Sequence, residues 1–216
     1  MQPFRCHRGI AAPLLQANID TDAIIPSREM RQVSRKGLSS GLFANWRYTD
    51  AAARHPDPLF VLNRPAYANA TILLCGSNFG CGSSREFAVW ALAEFGIRVI
   101  VAPSFGAIFQ KNCIANGVLS AIVPDAAVKE LARWVEDDPP SRLLTVDLAT
   151  GLIGSGLGET PFEIAEADRA RLLRGVDPVT HTLTHADAIR AFEKQRFEKH
   201  PWARVSLAAD GKIRTG

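Results

Sequence analysis

Two short aliphatic runs, TILLCG (71–76) and RVIVAPS (98–104), flank a stretch whose apolar residues switch to helical spacing, and this alternation constrains the fold more than any other feature of the chain. Runs of that length bounded by turn residues mark strands buried on both faces. Between them Ala88, Ala91, Leu92 and Phe95 recur at i, i+3, i+4 and i+7, one face of a helix, and Gly96 supplies its stop. A strand, loop, helix, strand unit is a parallel crossover. It predicts an α/β architecture in which the loop at the carboxyl end of the first strand is the place for a ligand. Val128, Leu131, Ala132 and Val135 repeat the helical spacing behind Pro124 and Asp125, with Asp125 as N-cap. His185, Ala188, Ile189 and Phe192 repeat it once more after Thr184.

The remainder offers no internal repeat and no interdomain linker, so the expectation is one domain over residues 1–216. Residues 26–58 mix basic residues, glycines and prolines without sustained periodicity, and ATGLIGSGLGE reads as a glycine-rich turn region. A net charge of +3 spread along the chain is too mild to suggest a nucleic-acid partner. No run of about 18 apolar residues is present, and MQPFRCHRGI lacks the apolar core of a signal peptide, so neither membrane insertion nor export is expected and the location is read as cytoplasmic. Cys6, Cys75, Cys81 and Cys113 contain no C-x-x-C pair. Reduced thiols fit better than a disulfide framework, and no metal site is expected from this chain alone, although a partner can bring an iron–sulfur cluster.

The loop after the first strand, NFGCGSSREF (78–87), carries the chemistry. A helix start presents unpaired backbone N–H groups and an effective charge of about +0.5, so anions settle there. Gly76, Gly80 and Gly82 let the backbone approach a ligand, and Arg85 can grip a carboxylate or phosphate with a two-point fork. The same residues also fit a capping box, in which Ser83 caps the helix and Glu86 reaches back. Pattern alone leaves both readings open, but capping does not account for Ser84, Arg85 or the glycines. A dinucleotide fingerprint fails because Arg85 stands at the sixth position, and no Lys-Ser or Lys-Thr follows for a P-loop. Cys81 lacks an identifiable base. His181 and His185 lack the glutamate of a zinc-protease motif.

NFGCGSSRE, with APSFGAIFQKNCIANG (102–117) after it and NIDTDAIIP (18–26) before it, resembles the small subunit of 3-isopropylmalate dehydratase, akin to the mobile C-terminal domain of aconitase. The resemblance continues through GLFANWRY (41–48) and LTHADAIRAFEKQR (183–196), nearly the whole chain. It implies an aconitase-type swivelling β/β/α domain with a mostly parallel sheet flanked by helices. It also implies a hydro-lyase of leucine biosynthesis that isomerises 2-isopropylmalate to 3-isopropylmalate by dehydration and rehydration, active only with a large subunit. That large subunit holds a 4Fe–4S cluster as Lewis acid; none is implied in this chain.

Carried over residue by residue, the family motif makes Ser83 the base that takes the carbon-bound proton, and Ser84 and Arg85 the residues that bind a carboxylate of the small dicarboxylate substrate. Asp20, Thr21 and Asp22 match the family's D-T-D segment near the active-site interface. Asp20 is read as a turn cap, and Thr21 and Asp22 as site candidates. Arg28 and Arg31, in a basic group with Arg35 and Lys36, lie where relatives carry a substrate-discriminating loop and can supply a second cationic clamp. Two departures bear on the substrate. Phe87 stands where relatives usually have histidine, and SREMR (27–31) replaces a segment like K-Q-F-L-K. They leave as alternatives a paralogue acting on another alkylmalate or methylated diacid, and a non-catalytic anion-binding subunit.

Overall fold

In a computed structural model of the chain, the described residues are 1–30, 34–82, 85–176 and 178–203, with strands at 206–207 and 213–214. The chain divides into two compact units, Met1–Val176 and Asp177–Gly216.

The first unit is built on a seven-stranded sheet. Its strands are β1 (Cys6–Leu14), β4 (Ala70–Cys75), β5 (Val99–Ala102), β6 (Leu119–Ile122), β7 (Leu144–Asp147), β8 (Leu152–Ser155) and β9 (Gly158–Pro161). They lie in the order β6-β5-β4-β1-β7-β8-β9. A separate short hairpin pairs β2 (Tyr48–Asp50) with β3 (His55–Pro56). Strands β1, β4, β5 and β6 run parallel, and β7, β8 and β9 form an antiparallel meander. Strand β1 joins the halves. Its Cys6–Gly9 stretch pairs antiparallel with β7 and its Ile10–Leu14 stretch pairs parallel with β4, with an irregularity between Ile10 and Ala11. The expected α/β sheet is found, with the glycine-rich segment 149–159 forming β8 and the start of β9 rather than a plain turn.

Period-two side-chain alternation divides the core into two layers. Leu73, Cys75, Ile100 and Ala102 face one layer with helices α3 (Glu86–Phe95) and α4 (Ala107–Ala115). Ile72, Leu74, Val99 and Val101 face the other, with α5 (Asp125–Asp137) and Leu172 of α6 (Glu166–Arg174). The helical periodicities of the sequence are buried as expected: Ala88, Ala91 and Leu92 in α3, and Val128, Leu131, Ala132 and Val135 in α5. Gly96 ends α3 at φ 111° while the Ile97 amide reaches back to the Leu92 carbonyl at 2.9 Å, a left-handed stop that suits glycine. In α5 the cap is Pro124, and Asp125 is the first helical residue, ion-paired with Lys129 at 2.7 Å.

The described residues of 26–58 hold only short elements: α2 (Ala44–Arg47), the β2–β3 hairpin and two single-turn helices, Ser27–Glu29 and Ser39–Gly41. A four-residue helix, α1 (Thr21–Ile24), precedes them. In the second unit α7 (Pro178–Leu183) and α8 (Ala186–Lys199) precede a short antiparallel pair, β10 (Ser206–Leu207) with β11 (Ile213–Arg214). His185 sits at the start of α8, whose Ile189 and Phe192 are exposed at 39% and 60%, so its apolar face is not buried as that of α3 is.

Candidate active site

Three loops leave the carboxyl ends of β1, β4 and β5, the position where parallel sheets hold ligands. They are laced together by backbone hydrogen bonds. Asn18 donates to the Ser77 carbonyl at 2.8 Å, Gly80 to Ile19 at 2.7 Å and Thr21 to Cys81 at 3.1 Å. On the other side Phe79 donates to Ser104 at 3.1 Å and Gly106 to Phe79 at 2.9 Å. Side chains add to the lacing, with Asn78 donating to Asn18 Oδ1 at 2.8 Å and its amide to Ser104 Oγ at 2.8 Å. The loop 76–82 is thus held as the middle member of a three-layer stack.

The glycines of this loop serve packing. A Cβ on Gly80 would overlap the Phe109 ring, which already meets Phe79 edge-on at 5.5 Å, and φ there is +73°. Gly82 is at φ +80° with only Asp20 Cβ nearby, at 3.4 Å. Gly76 lies against the backbone of Leu15 and Gln16. The expectation that Gly76 and Gly80 are bare so that a ligand can approach is therefore corrected: neighbouring protein atoms fill that space.

Ser83 and Ser84, and Arg31 of the basic group, lie outside the described residues. Helix α3 begins at Glu86 with Arg85 as its N-cap, so Glu86 is N1 rather than N3. The N3 position expected for Glu86 is corrected accordingly, while Ser83, the other half of the capping-box alternative, lies outside the described residues. The Glu86 carboxylate accepts from Asn116 Nδ2 at 2.9 Å.

Arg85 turns the other way. Its Nη1 lies 2.5 Å from Asp22 Oδ1 and 2.8 Å from Ser27 Oγ, and the side chain is 24% exposed. Among the described residues Nε and Nη2 have no partner, so one edge is anchored while the two-point fork stays open. Asp22, itself 52% exposed, is positioned by α1, whose start is capped by Asp20: its Oδ1 accepts the Ala23 amide at 2.7 Å. Thr21 is 1% exposed and packs beneath this corner. Arg28 follows Ser27 but points to Asn45 Oδ1 at 2.6 Å and Glu29 Oε1 at 3.2 Å, and Glu29 also pairs with Arg54. The structure thus brings Asp22 and Arg85 together and leaves Arg28 in an adjoining network.

Sequence reading missed Ser27, Asn45 and Asn116. Each is an ordinary polar residue whose partner is 58, 17 and 30 positions away respectively, so no local pattern marks it. Phe87 packs on Trp90 at 4.8 Å, and Arg35 stacks over the same indole at 4.6 Å. One turn on, Glu94 accepts the amides of Gly37 at 2.6 Å and Ser39 at 2.8 Å. Burial would raise its carboxyl, but the amides of Gly37, Ser39 and Leu38 and the Ser39 hydroxyl outweigh that and hold it below the usual value.

The cysteines do not form a cluster site. Cys75 and Cys113 are fully buried, and burial pushes both thiols up, away from the thiolate a metal requires. Cys6 is exposed, Cys81 is partly buried, and among the described residues no three His, Cys, Asp or Glu side chains gather as ligands.

Comparison with known proteins agrees with this architecture. The family model for the aconitase C-terminal domain matches residues 1–125, and that for the C-terminal domain of the 3-isopropylmalate dehydratase small subunit matches residues 181–204. A 3-isopropylmalate dehydratase small subunit from Cupriavidus necator is 56% identical over 94% of this chain and 98% of its own length. One from Acidothermus cellulolyticus is 46% identical over 95% and 100%. The crystal structure of a 3-isopropylmalate dehydratase from Methanocaldococcus jannaschii superposes with a TM-score of 0.63 at 26% identity, covering 87% of this chain and 99% of the other. The chain therefore belongs to the family of 3-isopropylmalate dehydratase small subunits, built on the aconitase C-terminal domain.

Proposed function

We propose that this chain is the small subunit of a hydro-lyase that interconverts 2-isopropylmalate and 3-isopropylmalate in leucine biosynthesis, working only when joined to a large subunit. The names carried by its relatives support the reaction. The observation that carries the site is Arg85, fixed through Nη1 by Asp22 and Ser27 and offering its Nε–Nη2 fork at the start of α3. A fork held in that way is preorganised for one substrate carboxylate.

In this reading Ser84 supplies a hydroxyl to the same carboxylate. Ser83 takes the proton from the carbon beside it as the alkene forms, and a proton returns to carbon when water is re-added with the hydroxyl on the neighbouring carbon. An alcohol acts as a base only where its alkoxide is stabilised, and the positive end of α3 with the Arg85 cation favours that charge in a site closed to water. Asp22 orients Arg85, Thr21 steadies the loop beneath, and Arg28 and Arg31 provide the second cationic clamp a dicarboxylate needs. Among the described residues no three His, Cys, Asp or Glu side chains gather as ligands for an iron–sulfur cluster. The 4Fe–4S cluster belongs, on this reading, to the large subunit, where it supplies a Lewis acid for the hydroxyl. Among the described residues no helix is long and apolar enough to cross a membrane; the cytoplasmic location is part of the proposal and does not follow from that.

The test is reconstitution with a large subunit and assay of alkene-diacid hydration. Ser83→Ala should lower kcat by about a thousandfold or more with an unchanged melting temperature. Equal activity of variant and wild type would remove Ser83 from the role of base. Failure of the wild-type complex to hydrate any alkylmalate-derived alkene would favour an anion-binding subunit without chemistry.

A further inference from the structure

We propose that Asn116 is a positioning residue that holds the Glu86 carboxylate away from the carboxylate-binding corner, so that the substrate meets Arg85 without a competing negative charge beside it. The inference rests on the reading of the α3 start as that corner. Glu86 is the first residue of α3 and follows Arg85 directly. A carboxylate there is drawn to the helix terminus and to the guanidinium next to it. Its side chain is nonetheless turned toward α4, where Asn116 Nδ2 donates to Oε1 at 2.9 Å.

Asn116 can hold only one orientation. Its Oδ1 accepts from Trp90 Nε1 at 3.1 Å, and its Nδ2 also donates to the Asn112 carbonyl at 2.9 Å. A reversed amide would set N–H against the indole N–H and oxygen against both a carboxylate and a carbonyl. Its backbone N–H bonds the Asn112 carbonyl, at 3.1 Å, and that of Cys113, at 3.1 Å, which fixes it as the cap of α4. Two consecutive residues therefore send opposite charges in opposite directions, Arg85 to Asp22 and Ser27 and Glu86 to Asn116. A released carboxylate several ångström from a bound diacid, at the effective dielectric of a protein surface, weakens binding roughly fivefold to tenfold.

The experiment uses the reconstituted two-subunit enzyme with 2-isopropylmalate. Asn116→Ala should raise KM about fivefold to tenfold with kcat within about twofold, and Glu86→Gln alone should leave KM within about twofold. The double variant should recover a KM near wild type, because a neutral amide no longer repels the substrate. A purely structural Asn116 would leave the double variant as impaired as the single one, and that result, or an unchanged KM in Asn116→Ala, overturns the inference. Should Asn116→Ala fail to assemble, Asn116→Asp keeps the side-chain volume and sets two carboxylates face to face, and its rescue by Glu86→Gln is read in the same way. Arg85→Ala separates the two levels of failure. If it leaves KM unchanged, the corner itself is misread and the role of Asn116 falls with it; if it raises KM while the Asn116 variants do not, only the present inference is overturned.

Discussion

On the parallel side of the sheet, β1, β4 and β5 run into loops whose hydrogen bonds are made to one another, Asn18 to Ser77, Gly80 to Ile19 and Gly106 to Phe79. On the antiparallel side the β8–β9 turn satisfies itself, whereas the β7–β8 turn also receives Arg169, which donates to the Leu148 and Ala149 carbonyls at 3.2 and 3.3 Å. The Asp147 carboxylate accepts the amides of Ala149 at 2.8 Å and Thr150 at 3.1 Å, and Ser155 Oγ accepts that of Leu157 at 3.1 Å. A self-contained turn can change without disturbing its neighbours, whereas each loop of the parallel side has a shape only because the other two are present. The site proposed here, which has to hold Arg85 within a fraction of an ångström, belongs on the second kind of framework. The same sheet thus carries a rigid, mutually defined edge for chemistry and a tolerant edge for closure of the core.

Two glycines at positive φ put this contrast to a test. Gly80→Ala combines a left-handed backbone with an overlap onto the Phe109 ring, so it should cost about 3 kcal/mol in denaturant unfolding and raise KM in the assembled enzyme. Gly158→Ala has φ +114° but no atom within 4 Å of the added carbon. Its cost should be about 1 kcal/mol, all backbone, with KM unchanged. Equal effects of the two on KM would erase the distinction between the edges.

A smaller effect is expected from His7, which sits on the β1 stretch paired with β7 and bonds Thr71 Oγ1 through Nε2 at 2.7 Å. Burial, and then the nearby Arg98, lower its pKa below the ordinary 6.5. The unfolded chain therefore binds the proton more tightly, so the His7 contribution to stability is complete above 6.5 and declines as the pH falls from there through the folded value. His7→Gln should flatten the stability profile in that window relative to wild type and leave kcat and KM alone. An unchanged profile would show that His7 titrates alike in both states.

Legibility in the sequence followed the range of the interactions. Strands β4 and β5 and helices α3 and α5 were readable because buried apolar runs and helical periodicity are local signals. Segment 152–161 was not, since its glycines and polar residues resemble a loop and its strand character comes from pairing with β7. At the site, Arg85 and the D-T-D segment announced themselves by charge and motif. Their union through Ser27 did not, because that contact spans 58 residues of sequence. The place expected for Glu86, third in its helix, is not the one found. Helix α3 begins at Glu86, later than the pattern suggests, and the Glu86 carboxylate bonds Asn116, 30 positions away.

The central claim is that Arg85, anchored by Asp22, grips a substrate carboxylate through its open fork. Calorimetric titration of the assembled enzyme with 2-isopropylmalate, wild type against Arg85→Ala, measures this directly. The account predicts a loss of affinity of about 30- to 100-fold, the value of a charge-assisted two-point contact. An affinity within about twofold of wild type would contradict it.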